Sequence, residues 1–157
     1  MAPEIRVRPM RDDGMDAVIR LWHETSRVAY PYLPLQQPYP LESRAAFFRE
    51  RIAPECELFV AESNGVVLGY MAIKGSYFDQ LYIHPGTQRR GAGTALLRKA
   101  RELSPAGLEL HTHQQNMQAC AFYEKHGFVA VKLGICPAPE SAPDVEYHWR
   151  PPPQTNA

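Results

Sequence analysis

Two arginines and two glycines crowd into QRRGAGT, residues 88–94, just before the apolar pair Leu96 and Leu97. The preceding run FDQLYI reads as a strand and the following one as a helix. The glycines therefore sit where unpaired backbone N–H groups and the positive end of a helix dipole converge. Glycine lets backbone come close to phosphate oxygens, and Arg89 or Arg90 adds charge. Anion binding is the chemistry on offer, although a purely structural loop reads the same way from this stretch alone. Two nucleotide-binding patterns fit poorly. A Walker A loop needs a lysine that is absent here, and a dinucleotide fingerprint needs a third glycine that GAGTAL lacks. A second stretch, NMQACAFYEKHGF, opens on Asn116 as a helix cap, carries Phe122 and Tyr123 in mid-helix, and stops at Gly127.

The elements that must hold these stretches follow from periodicity. Residues 4–10, EIRVRPM, read as an edge strand with Pro9 near its end. Asp12 or Asp13 is the expected cap of a helix on which Met15, Val18, Ile19 and Trp22 repeat at helical spacing, running to about Arg27. A Pro-rich loop beginning at Tyr30 precedes a second helix over 42–52, with Ala45, Phe48 and Ile52 on one face. Strands over 57–62, 66–74 and 77–83 form an antiparallel meander, the first two joined by the Asn64-Gly65 hairpin signal. Helix 92–103, strand 108–112, helix 117–126 and strands 128–135 and 145–149 complete the chain. A strand, helix, strand step is right-handed and parallel by default, so a mixed sheet covered by helices is expected.

At 157 residues the length suits one domain. We expect it over 1–150, with a Pro-rich tail at 151–157. The composition, 45% hydrophobic and 22% charged, is that of a soluble protein, and no apolar run approaches the roughly 20 residues of a membrane helix. A formal net charge of zero gives no global field toward nucleic acid or an acidic membrane, so neither is expected as a partner. Three widely spaced cysteines without a CxxC, and an opening without a basic-then-apolar signal, suit a cytoplasmic setting.

Taken together, the two stretches resemble the GNAT superfamily of N-acetyltransferases. QRRGAG matches its Q/R-x-x-G-x-G/A motif, and Asn116, Ala119 and the run from Phe122 to Phe128 resemble the helix and strand that follow it. The resemblance covers about residues 4–150. It implies an α/β fold with a mixed, mostly antiparallel sheet of about six to seven strands, splayed between the fourth and fifth and flanked by about four helices. It also implies direct transfer of acetyl from acetyl-CoA to a primary amine. The motif loop, Gln88, Arg89, Arg90, Gly91, Ala92, Gly93 and Thr94, would hold the coenzyme pyrophosphate. Leu81, Tyr82 and Ile83 would pair their backbone with the pantetheine arm. Asn116 would hydrogen-bond the coenzyme or its loop, and Phe122 would pack on the pantetheine. Tyr123 would be the general acid, since a phenol with an ordinary pKa of about 10 matches a leaving thiolate.

The acceptor side is less determined. Asp79 shares its alternation face with Leu81 and Ile83 and stands as base, relay anchor or only a polar strand residue at a bulge; the glutamate some family members carry on this strand is missing. Tyr30 and Tyr32, with Tyr39, are expected to line the acceptor pocket, and His113 to touch the acceptor. His84, His111 and His113 have no cysteine at ligand spacing, so no metal is expected. Cys120 reads as a packing residue, leaving a ping-pong route the lesser possibility. The acceptor is a small-molecule or peptide amine, and a homodimer is possible. A catalytically inactive acyl-CoA-binding module and a nucleotide-binding protein remain the rival readings.

Overall fold

The computed structural model describes residues 4–29, 40–88, 90–137 and 141–153. Seven strands form one sheet in the order β1-β2-β3-β4-β5-β7-β6. They are β1 (Arg6–Pro9), β2 (Glu57–Ser63), β3 (Val66–Lys74), β4 (Tyr77–Ile83), β5 (Leu108–His113), β6 (Val129–Ile135) and β7 (Pro143–Trp149). β1 to β4 are antiparallel neighbours, as are β5, β7 and β6. The two groups meet where β4 runs parallel to β5, and that ladder holds one pair, Tyr77 with Glu109. Past it the strands part, which is the expected splay.

Helix α1 (Met15–Ala29) and the short α2 (Leu41–Phe47) and α3 (Ala53–Glu55) come before the meander, α4 (Ala92–Leu103) joins β4 to β5, and α5 (Met117–Lys125) joins β5 to β6. The two long helices α1 and α4 cover opposite faces of the sheet with apolar stripes. Ala92, Leu96, Leu97 and Ala100 of α4 lie in a core with Met71, Phe78, Leu108, Leu110 and Tyr123. On the opposite face Val18, Ile19 and Trp22 of α1 pack with Phe48, Val60 and Tyr70. Each aliphatic side chain so buried stabilises the fold by about 1.5–3 kcal/mol. Among the described residues no helix is long and apolar enough to cross a membrane.

The meander is built as its sequence indicates. Asn64 and Gly65 both take positive φ, 52° and 78°, as the primed turn between β2 and β3 requires. Three local expectations are corrected. Neither Asp12 nor Asp13 caps α1: they form a 3₁₀ turn with Gly14, entered from Arg11 without a side-chain cap. The second helix is not continuous from 42 to 52, because Phe48–Ile52 makes a π turn that widens the coil and carries both Phe48 and Ile52 into the core. The third correction concerns Asp79. The β3–β4 register passes from Ile73 opposite Phe78 to Ala72 opposite Gln80, so Asp79 is the unpaired residue of a β-bulge. Phe78, not Asp79, shares the core face with Leu81 and Ile83.

Candidate active site

The splay opens a cleft of about 800 Å³. One wall is β4 from Phe78 to Ile83, the far end is the start of α4, and the other wall is α5 from Asn116 to His126 with His111 and Thr112 of β5. Three features shape the α4 end. Gly91 is the residue before the helix, with φ 91° and ψ 4°, and no side chain caps the first turn, so its N–H groups are left to a ligand. The side chain of Gln118 donates to Gln88 Oε1 at 2.7 Å, tying α5 to the motif loop. A β-carbon at Gly93 would come within 3.2 Å of the Phe122 ring, so this glycine also admits that ring against α4.

Helix α5 is anchored at both ends. Asn116 Oδ1 accepts from the N–H of Ala119 at 3.2 Å, which is its expected cap. At the other end Arg101 of α4 donates to the carbonyl of His126 and lies 4.7 Å over the Trp149 ring of β7. Between these anchors Tyr123 is buried edge-on against Phe122 and Phe128, with ring centroids 5.4 Å away in each case. Burial first, then the neighbouring Tyr82 and Cys120, push its titration far above that of an ordinary phenol, so it keeps its proton at neutral pH and, contrary to the expected match with a thiolate, is the weaker acid of the two. The opposite wall is equally fixed. Tyr70 donates to Gln80 Oε1 at 2.7 Å and stacks on Tyr82, with centroids 5.9 Å apart.

A strand edge left open by a splay, running into an uncapped helix N-terminus and faced by a buried tyrosine, is a site for a long anionic ligand. Residues 16–128 match the profile of the Acetyltransferase (GNAT) family. The chain belongs to this family of acetyltransferases. It is similar to the peptidyl-lysine N-acetyltransferase YjaB of Salmonella typhimurium, with 30% identity over 125 residues, 79% of this chain and 83% of that one. In fold it is similar to apo YjaB of Escherichia coli, with a TM-score of 0.79, 23% identity, and coverage of 93% of this chain and 97% of that one. It also matches yncA of Salmonella typhimurium with its cofactor acetyl-CoA, at a TM-score of 0.69 and 17% identity over 93% of each chain.

Most of the site residues expected from the acetyltransferase's sequence are brought together. Asp79, Leu81, Tyr82, Ile83, Gln88, Gly91, Ala92, Gly93, Thr94, Asn116, Phe122 and Tyr123 all line the one cleft. Arg90 is exposed beside it and is not among the lining residues. Arg89, Tyr30, Tyr32 and Tyr39 lie outside the described residues. His113 is displaced from the expected place: it lines a second, smaller pocket with Cys136 and Asp144, because β5 and β7 stay paired as far as His113 and Asp144. The histidines of the main cleft are His111, which also borders the smaller pocket, and His126. Sequence reasoning passed over Thr25 of α1, Gln118 and His126 as lining residues. His126 had a local signal, being one turn after Phe122, whose carbonyl lies 2.8 Å from its Nδ1.

Asp79 is exposed at the cleft wall, yet its carboxyl titrates above the ordinary carboxylate range. Surrounding protein is the first cause and Glu55 the second, with Lys74 opposing. Nearby, burial raises Tyr77, and the carboxylates Asp79, Glu109, Glu146 and Asp144 raise it further. The open face of β4, β5 and β7 is therefore an acidic surface in a chain of zero net charge.

Proposed function

We propose that this acetyltransferase moves acetyl from acetyl-CoA to a primary amine, with a lysine side chain of a peptide as the acceptor class. One observation carries the reading: the motif loop, the unpaired β4 edge and Tyr123 share a single cleft. The residues fit the coenzyme's chemistry. The first N–H groups of α4 hold the pyrophosphate, with Gly91 supplying the left-handed backbone that aims them. Leu81, Tyr82 and Ile83 offer main-chain groups to the two amides of the pantetheine arm, and Phe122 packs along it.

Acetyl-CoA supplies an activated thioester. Tyr123, held protonated, gives its hydroxyl proton to the departing thiolate. Backbone N–H groups at the bulge, where the ladder to β3 skips Asp79, stabilise the carbonyl oxygen as it gains charge. Asp79 and the acidic face around it draw the acceptor's ammonium to the cleft. The similar protein YjaB is a peptidyl-lysine N-acetyltransferase, which supports a lysine acceptor. Cys56, Cys120 and Cys136 are unbridged, which supports a reducing, cytoplasmic setting.

The test is steady-state turnover of acetyl-CoA with a panel of lysine peptides and small amines, the product being weighed by mass spectrometry. A mass gain of one acetyl on an amine is expected. Coenzyme binding without turnover on any amine would leave an acyl-CoA-binding module in place of an enzyme.

A further inference from the structure

We propose that His111 is the base that takes the acceptor's proton, oriented by Glu146 and Tyr77; this rests on the acyl-transfer reading above. Strand alternation puts Leu108 and Leu110 in the core and turns Glu109 and His111 to the open face. On β7 it turns Glu146 and His148 the same way, and the register sets His111 directly opposite Glu146. Glu146 Oε1 lies 3.2 Å from His111 Nε2, and Tyr77 hydroxyl lies 3.0 Å from Nδ1. A carboxylate only accepts, so Nε2 carries the ring proton, and Nδ1 holds the lone pair, with the Tyr77 hydroxyl donating to it. A lone pair on a histidine that lines the cleft, backed by a carboxylate on the other nitrogen, is the arrangement of an activated base.

Asp79 serves this role less well. The charges that act on it, Glu55 and Lys74, oppose each other, and among the described residues its carboxyl has no hydrogen-bonded group behind it. His111 has such a group. Glu146 is itself braced by His148 Nε2, 2.6 Å from its Oε2, and that nitrogen lies 3.4 Å from Glu109 Oε2. The titratable and charged groups around His111 and its carboxylate are Tyr77 and Asp79 of β4, Glu109 and His113 of β5, Asp144, Glu146 and His148 of β7, Lys132 of β6 in register with Glu146, and Cys136 beside the smaller pocket.

The proton balance closes. The acceptor ammonium gives one proton to Nδ1 as it takes the place of the Tyr77 hydroxyl, and the free amine forms the C–N bond at the thioester carbon. The C–S bond breaks, and the sulfur takes the Tyr123 proton. The second nitrogen proton returns to Tyr123, and His111 releases the first to solvent. The sum is ammonium plus thioester to amide, thiol and one proton.

The experiment is the pH dependence of kcat with a lysine peptide for the wild type, His111→Gln, Glu146→Gln and Asp79→Asn. A chelator is present, because ligating atoms of Glu109, Glu146 and His148 lie within 4.8 Å of one another. For His111→Gln we expect kcat at neutral pH to fall by about 10²-fold or more, with KM for acetyl-CoA unchanged. The deficit should shrink as pH rises toward the amine's own titration, and added imidazole should restore part of the rate. Glu146→Gln should move the acid limb to lower pH, and by clearly more than Asp79→Asn moves it. A loss in His111→Gln of the same size at every pH, or an unchanged profile, overturns the proposal while leaving the transferase reading intact. Absence of wild-type turnover on any amine overturns both.

Discussion

Gly93 and Phe122 fit together face to face: an added β-carbon would lie 3.2 Å from Cε2 of the ring and 3.3 Å from Cζ. The fit joins the two stretches of sequence that together define the site. It also makes a specific demand, since Phe122 is only partly buried and lines the cleft. Gly93→Ala should leave folding stability nearly unchanged, because the helix gain of up to about 1 kcal/mol offsets the clash. Acetyl-CoA binding should weaken several-fold as the ring moves into the pantetheine path. Thermal denaturation with and without coenzyme reads both effects, and an undiminished coenzyme-induced rise in Tm would refute the second.

Gly91 poses a different constraint. Among the described residues a β-carbon there meets only Ile5 Cδ1, at 3.8 Å, so the positive φ is what a substitution must bear. Asn and Asp tolerate that conformation better than other residues, at a cost of about 1 kcal/mol. Gly91→Asn and Gly91→Asp should therefore fold alike, and coenzyme titration should show Asp binding far more weakly than Asn. Equal losses would mean that loop shape alone, and not the field at the helix end, selects the pyrophosphate.

Tyr123→Phe removes one hydroxyl from a packed aromatic cluster. Acetyl-CoA affinity should persist, while kcat should drop about 10²-fold at neutral pH. Stopped-flow detection of thiol release separates this from a binding defect. A variant with wild-type kcat would remove Tyr123 from the chemistry.

Asp79 gives a stability effect whose sign can be worked out. Its folded-state titration lies above that of the unfolded chain, so the native state binds the proton more tightly. The resulting stabilisation is present at low pH and is lost as pH rises through the folded-state value. Asp79→Asn should match the wild type in urea denaturation near pH 3 and exceed it at pH 7. Lower stability of the variant at pH 7 would mean that the carboxylate is paired in the native state.

The parts of this architecture legible in the sequence are those governed by local period. α4 begins at Ala92 and ends at Leu103 as its apolar spacing indicates, and the Asn64-Gly65 turn needs only its own two residues. The Asp79 bulge stood in the sequence only as one alternative among three, because a bulge is a property of two strands in register and β4 alone shows plain alternation. The π turn at Phe48 escaped for a similar reason: a helical stripe reads nearly the same at either pitch. The relation of Tyr77, His111 and Glu146 depends on three strands distant in sequence, so reading one strand at a time did not bring them together. In contrast, Tyr123 was legible from its neighbours, since Asn116 and Gly127 bound its helix and fix which turn it occupies.

The single rung between Tyr77 and Glu109 divides the sheet mechanically into two panels, β1 to β4 and β5 with β7 and β6. An occupant lying along Leu81 to Ile83 would supply the hydrogen-bonding partner that the β4 edge lacks, acting as an eighth, removable strand. Loading and release would then register as a change in cooperativity between the panels, visible as slowed amide exchange along β4 and at the start of α4 when the cleft is filled.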